Sequence, residues 1–172
     1  MEIITCDLRH STAILAILNE AIATSTALYD YQPRTPEMMD AWYAAKEAGR
    51  YPVIGVESDA GELMGFATYG SFRAWPAYKY TVEHSVYVDS KFRGMGIARL
   101  LMERLIGLAR GQDLHTMIGV IDAENAASIA FHQSLGFTRC GTLQQAGFKF
   151  GRWLDVEFHQ LILPTPAHPE DG

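Results

Sequence analysis

The feature that most constrains this chain is the run Val86-Tyr87-Val88-Asp89-Ser90-Lys91-Phe92-Arg93-Gly94-Met95-Gly96-Ile97-Ala98. An apolar strand runs into a short loop with two glycines, and a long amphipathic helix begins at Gly94. A helix amino terminus offers unpaired N–H groups and a partial positive charge. Glycines let that backbone approach an anion closely. Lys91 and Arg93 place further positive charge at the same point. A diphosphate is the natural guest of such a cradle. The plainer alternative is a glycine loop that only tightens a strand-to-helix turn. Two common phosphate motifs are set aside. No Gly-Lys-Ser/Thr ending follows, and Arg99 stands where a third glycine of G-x-G-x-x-G would be. Neither an ATPase nor a dinucleotide enzyme fits.

The remaining periodicity frames this unit. Residues 2–6 read as a strand, followed by a helix over 11–23 capped by Ser11. Thr35 caps a second helix, with Pro36 at its first position, ending near Gly49. Strands at 52–57 and 63–69 flank Ser58-Asp59-Ala60-Gly61, which is hairpin-turn chemistry. An aromatic-rich loop over 73–78 leads to a long strand over 80–88. A helix over 94–110, a strand over 115–121 and a helix over 124–135 follow, the last ended by Gly136. Strands over 137–143 and 153–163 close the sheet. The order gives an α+β, or mixed α/β, layered domain over residues 1–163. Three prolines in residues 164–172 predict a frayed or extended tail.

Composition narrows the function classes. A chain of 172 residues is one domain, long enough to bury a substantial core. Fourteen basic against twenty acidic side chains, net −6, argue against a general nucleic-acid binder. Ten of the fourteen cations are Arg, the side chain suited to bidentate carboxylate or phosphate contacts. Cys6 and Cys140 suggest neither a disulfide framework nor a metal site. The six histidines show no pair at ligand spacing, so no metal is expected. The amino terminus does not read as a signal peptide, and no apolar stretch approaches the ~20 residues of a membrane span. A cytoplasmic protein without a membrane partner is expected.

The stretch Lys91-Phe92-Arg93-Gly94-Met95-Gly96 resembles the acetyl-CoA motif of the GNAT acetyltransferases, Gln/Arg-x-x-Gly-x-Gly/Ala. Lys91 departs from the usual Gln or Arg. Asn125, Ser128, His132, Gly136 and Phe137 match the spacing of the family's second CoA segment, Asn-x-x-Ala/Ser-x-x-x-Tyr-x-x-x-Gly-Phe. His132 takes the place of the usual Tyr. The runs Thr81–Val88, Asn125–Phe137 and Gly147–Asp155 are similar to the phosphinothricin N-acetyltransferase group, and especially to its bacterial branch acting on methionine sulfone and methionine sulfoximine. The resemblance implies a single GNAT-like domain with a central, mostly antiparallel twisted sheet and helices on both faces. It implies acetyl-CoA as cosubstrate, a small amino acid or analogue as acceptor, detoxification as the role, and a homodimer.

The resemblance also implies roles for residues. The strand Val86-Tyr87-Val88 would hold the pantetheine and thioester, with Val86 or Val88 N–H polarising the carbonyl. Arg93, Gly94, Met95, Gly96, Ile97, Ala98 and Arg99 would hold the pyrophosphate. Asn125 would bond the pantetheine, with Ser134 near the CoA end. Glu83 is the candidate general base, directly or through water, because burial raises a carboxyl pKa toward working pH. A carboxylate paired with a cation is the plainer alternative. His132 is a second catalytic candidate, or a helix histidine satisfied by a neighbour. His84 follows Glu83 and points to the opposite face, as a structural residue. Arg73 would hold an acceptor carboxylate, or is a solvated cation beside an aromatic surface patch. Ala74, Trp75 and Tyr78 would wall the pocket, with Tyr29 and Tyr31 closing the other side. The run Phe148-Lys149-Phe150-Gly151-Arg152-Trp153 is either a dimer edge or a pocket rim. Two rivals remain: a protein amino-terminal acetyltransferase on the same fold, and a catalytically inactive CoA-binding sensor.

Overall fold

A computed structural model describes residues 1–171. The strands are β1 Glu2–Thr5, β2 Val53–Glu57, β3 Leu63–Ser71, β4 Thr81–Val88, β5 Thr116–Asp122, β6 Thr138–Lys149 and β7 Arg152–Ile162. The helices are α1 Ser11–Thr24, α2 Pro36–Ala48, α3 Ile97–Gly111 and α4 Ala126–Ser134. The seven strands form one sheet in the order β1-β2-β3-β4-β5-β7-β6. Every pairing is antiparallel except β4 with β5. The mixed sheet agrees with the sequence reading.

Helices cover both faces because the chain supplies two apolar stripes. On α1, Ile14, Ile17 and Leu18 recur at helical spacing and pack with Met39 of α2 against Val53 and Phe66. On α3, Ile97, Leu101, Met102 and Leu105 pack against Ile54, Ala67, Tyr69, Met117 and Leu163 on the other face. Burying a side chain of this size stabilises the fold by about 1.5–3 kcal/mol.

The parallel contact between β4 and β5 is short. It pairs Thr81, Val82 and Glu83 with Thr116, Met117 and Ile118, and ends there. β4 stays paired with β3 from Val82 to Val88. The sheet therefore splits open between β4 and β5 beyond Glu83.

Four expectations need correction. Ser11 is the first residue of α1, and the side-chain cap lies earlier, where Asp7 accepts from Arg9 N–H ahead of a 3₁₀ turn. Thr35 stands at the cap of α2 without a side-chain cap bond, Pro36 alone setting the start. β6 runs on to Lys149, well past residue 143, and turns directly into β7. The tail has no regular structure, yet it is docked. Thr165 Oγ1 donates to the Leu114 carbonyl, its carbonyl oxygen lies 2.7 Å from His115 Nδ1, and Glu170 N–H donates to Tyr80 Oη at 3.1 Å.

The long β6–β7 hairpin reaches α1 through Lys149. Its buried ammonium donates to the carbonyls of Ile22 at 2.7 Å, Ser25 at 2.9 Å and Leu28 at 2.6 Å. One cation thus satisfies the open end of α1 and fixes the loop after it. Lys149→Ala orphans those carbonyls. Urea unfolding should show a loss of about 2–4 kcal/mol; an unchanged midpoint would contradict the clamp.

Candidate active site

The split in the sheet leaves one edge of β4 without a partner strand, and hydrogen-bond parity shows which groups face it. Phe72 N–H donates to the Thr81 carbonyl, and Asp89 N–H donates to the Met64 carbonyl. Odd-numbered residues of β4 therefore direct their N–H and C=O groups to β3. Thr116 N–H donates to the Tyr80 carbonyl on the other side. Even-numbered residues direct theirs toward β5. Past Glu83 there is no β5 to receive them, so the backbone groups of Val86 and Val88 open into the gap. A polar, extended ligand fits an edge of this kind.

The glycine cradle lies at the end of the same strand. Gly94 and Gly96 hold φ of 80° and 78°, the left-handed region that glycine enters without strain. Neither has any neighbour within 4 Å of the position a Cβ would take. Gly96 is the N-cap of α3, and helical bonding begins with Leu100 N–H to its carbonyl. The N–H groups of Ile97, Ala98 and Arg99 precede that bond. They open on a crevice of about 330 Å³, bordered by Val88, Gly94, Gly96, Ala98, Arg99 and Phe131. Arg99 donates to Ser134 Oγ at 2.6 Å, tying α3 to α4. Met95 is exposed on the loop. Arg93 lies 3.8 Å from Glu20, and Lys91 turns away to Glu62 at 3.3 Å. Lys91 thus belongs to a surface pair and not to the cradle.

A second cavity, of about 310 Å³, opens in the gap itself. Glu83, His132, Asn125, Val86 and Tyr87 border it, and Tyr29 closes one side. Asn125 caps α4 by accepting from Ser128 N–H at 3.0 Å, which leaves its side-chain N–H₂ for a ligand. Asn125, Ser128 and His132 all reach this cavity, as a shared helix face predicts. Burial raises the Glu83 carboxyl above the ordinary range, and the Arg73 guanidinium opposes that shift. Burial lowers both His84 and His132 below the ordinary imidazole range. The His132–His84 contact opposes the charge on His84 further, and His159 does so for His132.

The aromatic loop sits differently from the expectation. Arg73 stacks on Phe72 with 4.3 Å to the ring centroid. Trp75 is 73% exposed and Tyr78 is 42% exposed. Arg73, Ala74, Trp75 and Tyr78 do not border the cavity. Loop residues 76–78 form a 3₁₀ turn that carries these rings outward. Tyr31 lies outside the cavity, donating to the Phe148 carbonyl at 2.6 Å.

Other wall residues were not singled out in the sequence. Thr26, Ala27 and Leu28 form one wall, in the loop that Lys149 holds. Asp122, 7% exposed at the end of β5, accepts from Thr26 Oγ1 and from Glu124 N–H. His84, unlike these, is expected on the face opposite Glu83 as a structural residue; it borders the same cavity and touches His132. The sequence signal for His84 is an imidazole inside a strand, ambiguous until its partner 48 residues away is in place.

The acetyltransferase (GNAT) family model matches residues 16–137. The chain belongs to the GNAT family and is an acetyl-CoA-dependent N-acetyltransferase. It is similar to the L-methionine sulfoximine/L-methionine sulfone acetyltransferase of Pseudomonas paraeruginosa, 44% identical over 91% of each chain. It is also similar to the structure of a GNAT superfamily phosphinothricin acetyltransferase from Sinorhizobium meliloti in complex with AcCoA. That likeness has a TM-score of 0.93 and 30% identity, and covers 98% of this chain and 91% of the other. A ribosomal-protein-alanine N-acetyltransferase from Brucella melitensis gives a TM-score of 0.93 at 41% identity, covering 95% of this chain and 100% of the other. Among the described residues no cluster of three metal-ligating side chains occurs, and no helix is long and apolar enough to cross a membrane.

The buried histidines give the stability a defined pH dependence. Unfolded histidine takes up a proton near pH 6.5, roughly, while burial holds the folded His84 neutral down to about pH 3 and lowers His132 in the same direction. The unfolded state therefore binds more protons below that pH. Stability is fully present above it and falls as pH drops, by about 1.4 kcal/mol per pH unit for His84, with His132 acting in the same direction. Urea midpoints measured between about pH 7 and 5 should decline, and less steeply in His84→Leu. Equal slopes in the two proteins would contradict the assignment.

Proposed function

We propose that this enzyme acetylates the α-amine of a free amino acid or analogue of the methionine sulfone, methionine sulfoximine or phosphinothricin type. The observation that carries the reading is Glu83, a half-buried carboxyl in a cavity of about 310 Å³ beside the open edge of β4. That volume is at the small end of ligand sites, roughly 300–1,000 Å³, and suits a free amino acid better than a protein segment. The relatives named for such acceptors support it. Detoxification of such analogues is the role that follows.

The open backbone fits acetyl-CoA. Gly94 to Arg99 would hold the pyrophosphate at the start of α3, with Arg99 and Ser134 beside it. The β4 edge and the Asn125 amide would hold the pantetheine. Acetyl-CoA, when bound, supplies the acetyl group as a thioester. The N–H of Val86 or Val88 meets negative charge growing on a carbonyl oxygen in the gap, a fixed donor that needs no reorganisation. Glu83 takes the ammonium proton, directly or through a water, and its raised pKa suits that task. The Arg73 charge acts on Glu83 from outside the cavity lining and would draw the acceptor's carboxylate to that side, and Tyr29 walls its side chain.

A homodimer in the cytoplasm completes the proposal. β6 is an edge strand, and Leu143, Phe148, Phe150 and Trp153 are exposed along its hairpin. Cys6 and Cys140 are free thiols, as a reducing compartment requires. One second reading has an observation behind it, the similarity to an enzyme named for a ribosomal-protein alanine terminus.

Thiol release from acetyl-CoA tests these readings against amino-acid analogues, ordinary amino acids and a peptide with an amino-terminal alanine. Turnover confined to free amino acids or analogues is expected. Turnover on the peptide alone moves the function to protein acetylation, and binding without turnover makes the chain a sensor. Glu83→Gln should lower kcat by about 10²-fold or more and remove the ionisation it governs from the pH profile. Arg73→Ala removes a cation that lowers the Glu83 pKa. The rising limb of kcat against pH should therefore shift upward in that variant, with a higher acceptor KM. A limb that stays put would separate Arg73 from Glu83.

A further inference from the structure

Two imidazoles are buried together where α4 crosses the open sheet. His84 is 7% exposed and His132 is 4% exposed. Their Nε2 atoms lie 3.2 Å apart, and the rings are stacked with centroids 5.0 Å apart and planes 24° apart. β5 makes room for them at Gly119. A Cβ there would stand 2.9 Å from His84 Nε2 and 3.2 Å from His132 Cδ2.

The proton positions follow from the partners. His132 Nδ1 lies 2.7 Å from the Ser128 carbonyl oxygen. A carbonyl oxygen only accepts, so His132 Nδ1 carries hydrogen and donates. In a neutral ring, His132 Nε2 then carries a lone pair. The contact between the two Nε2 atoms needs one hydrogen, and His84 must supply it. His84 Nδ1 is left as a bare acceptor, and that atom is buried without a partner. The pair holds two hydrogens, and both are engaged. The reverse arrangement, with hydrogen on His132 Nε2, would set a lone pair against the Ser128 carbonyl oxygen at 2.7 Å.

We propose that His84 is a positioning residue: with the Ser128 carbonyl holding His132 as the neutral Nδ1–H tautomer, the His84 Nε2–H occupies the one lone pair with which His132 would act as a base. The work of deprotonating the acceptor then falls to Glu83 alone. His132 serves as an oriented donor, its Nδ1–H shared between the Ser128 carbonyl and Ser128 Oγ at 3.4 Å, on the wall of the cavity. No proton passes through the pair. The assignment of work rests on the acetyl-transfer reading, whereas the tautomer does not.

The test is a long-range ¹⁵N–¹H spectrum of the ring nitrogens in histidine-labelled protein, without ligand. His132 should show a protonated Nδ1 and a bare Nε2, and His84 the opposite pattern. In His84→Leu the hydrogen should stay on His132 Nδ1, while the bare Nε2 loses its donor and its ¹⁵N resonance should move downfield toward that of a free lone pair. His84→Gln keeps an N–H donor in the place of Nε2 and should move the resonance back. Among amines that the parent acetylates, His84→Leu should lower kcat about tenfold with KM for the acceptor little changed, and His84→Gln should recover most of it. Hydrogen on Nε2 of parental His132 overturns the proposal, as does a His132 Nε2 resonance that does not move in His84→Leu. Absence of turnover in the parent would remove the acetyl-transfer reading and leave the spectral result standing.

Discussion

The early end of the β4–β5 pairing is the constraint on which this molecule depends. Three residues of each strand pair, and beyond Glu83 the strands part. Backbone groups in a folded domain are costly to leave unsatisfied, so a sheet open at its middle is a site waiting for a polar partner. The parity of β4 determines which groups wait. Val86 and Val88 face the gap, while Ser85 and Tyr87 are turned to β3. The same strand carries Glu83 at the fork and leads into the glycine cradle at its far end. One strand therefore aligns a carboxyl, an open backbone edge and a glycine-capped helix amino terminus.

The rest of the fold keeps the fork open and walls it. α3 packs its apolar stripe under β2, β3 and β4, which holds the cradle rigid. α4 crosses the opening, with Asn125 and His132 on the face turned inward. Lys149 and Asp122 bind the loop after α1 to the β6–β7 hairpin and to β5, so that the third wall does not drift. Catalysis by positioned groups needs this stiffness, because small displacements of the reacting atoms are expensive.

Local chemistry made the centre of the site readable. Gly94 and Gly96 sit where strand periodicity changes to helical periodicity, and Asn125, Ser128 and His132 share a face by spacing alone. Glu83 stood out as a carboxyl inside an apolar strand. What was not readable depends on distant partners. The β6–β7 turn places Phe150 and Gly151 at φ of 51° and 74°, and Phe is no signal for a left-handed position. Lys149 reads as a surface cation until the end of α1 is folded against it. His84 acquires meaning only from His132 and from the space at Gly119. The aromatic loop shows the opposite error. Trp75 and Tyr78 have the chemistry of a pocket wall, but the turn at 76–78 carries them to the surface.

The measurement closest to the central claim is amide hydrogen exchange along β4, by NMR, with and without acetyl-CoA. Without it, the N–H groups of Val86 and Val88 should exchange fast, while those of Ser85 and Tyr87 are protected by β3. On addition of acetyl-CoA, Val86 and Val88 should become protected and their resonances should move, with Ser85 and Tyr87 little affected. Uniform exchange along the strand, or protection that does not alternate when acetyl-CoA is bound, would contradict the account of an open edge as the organising element of the site.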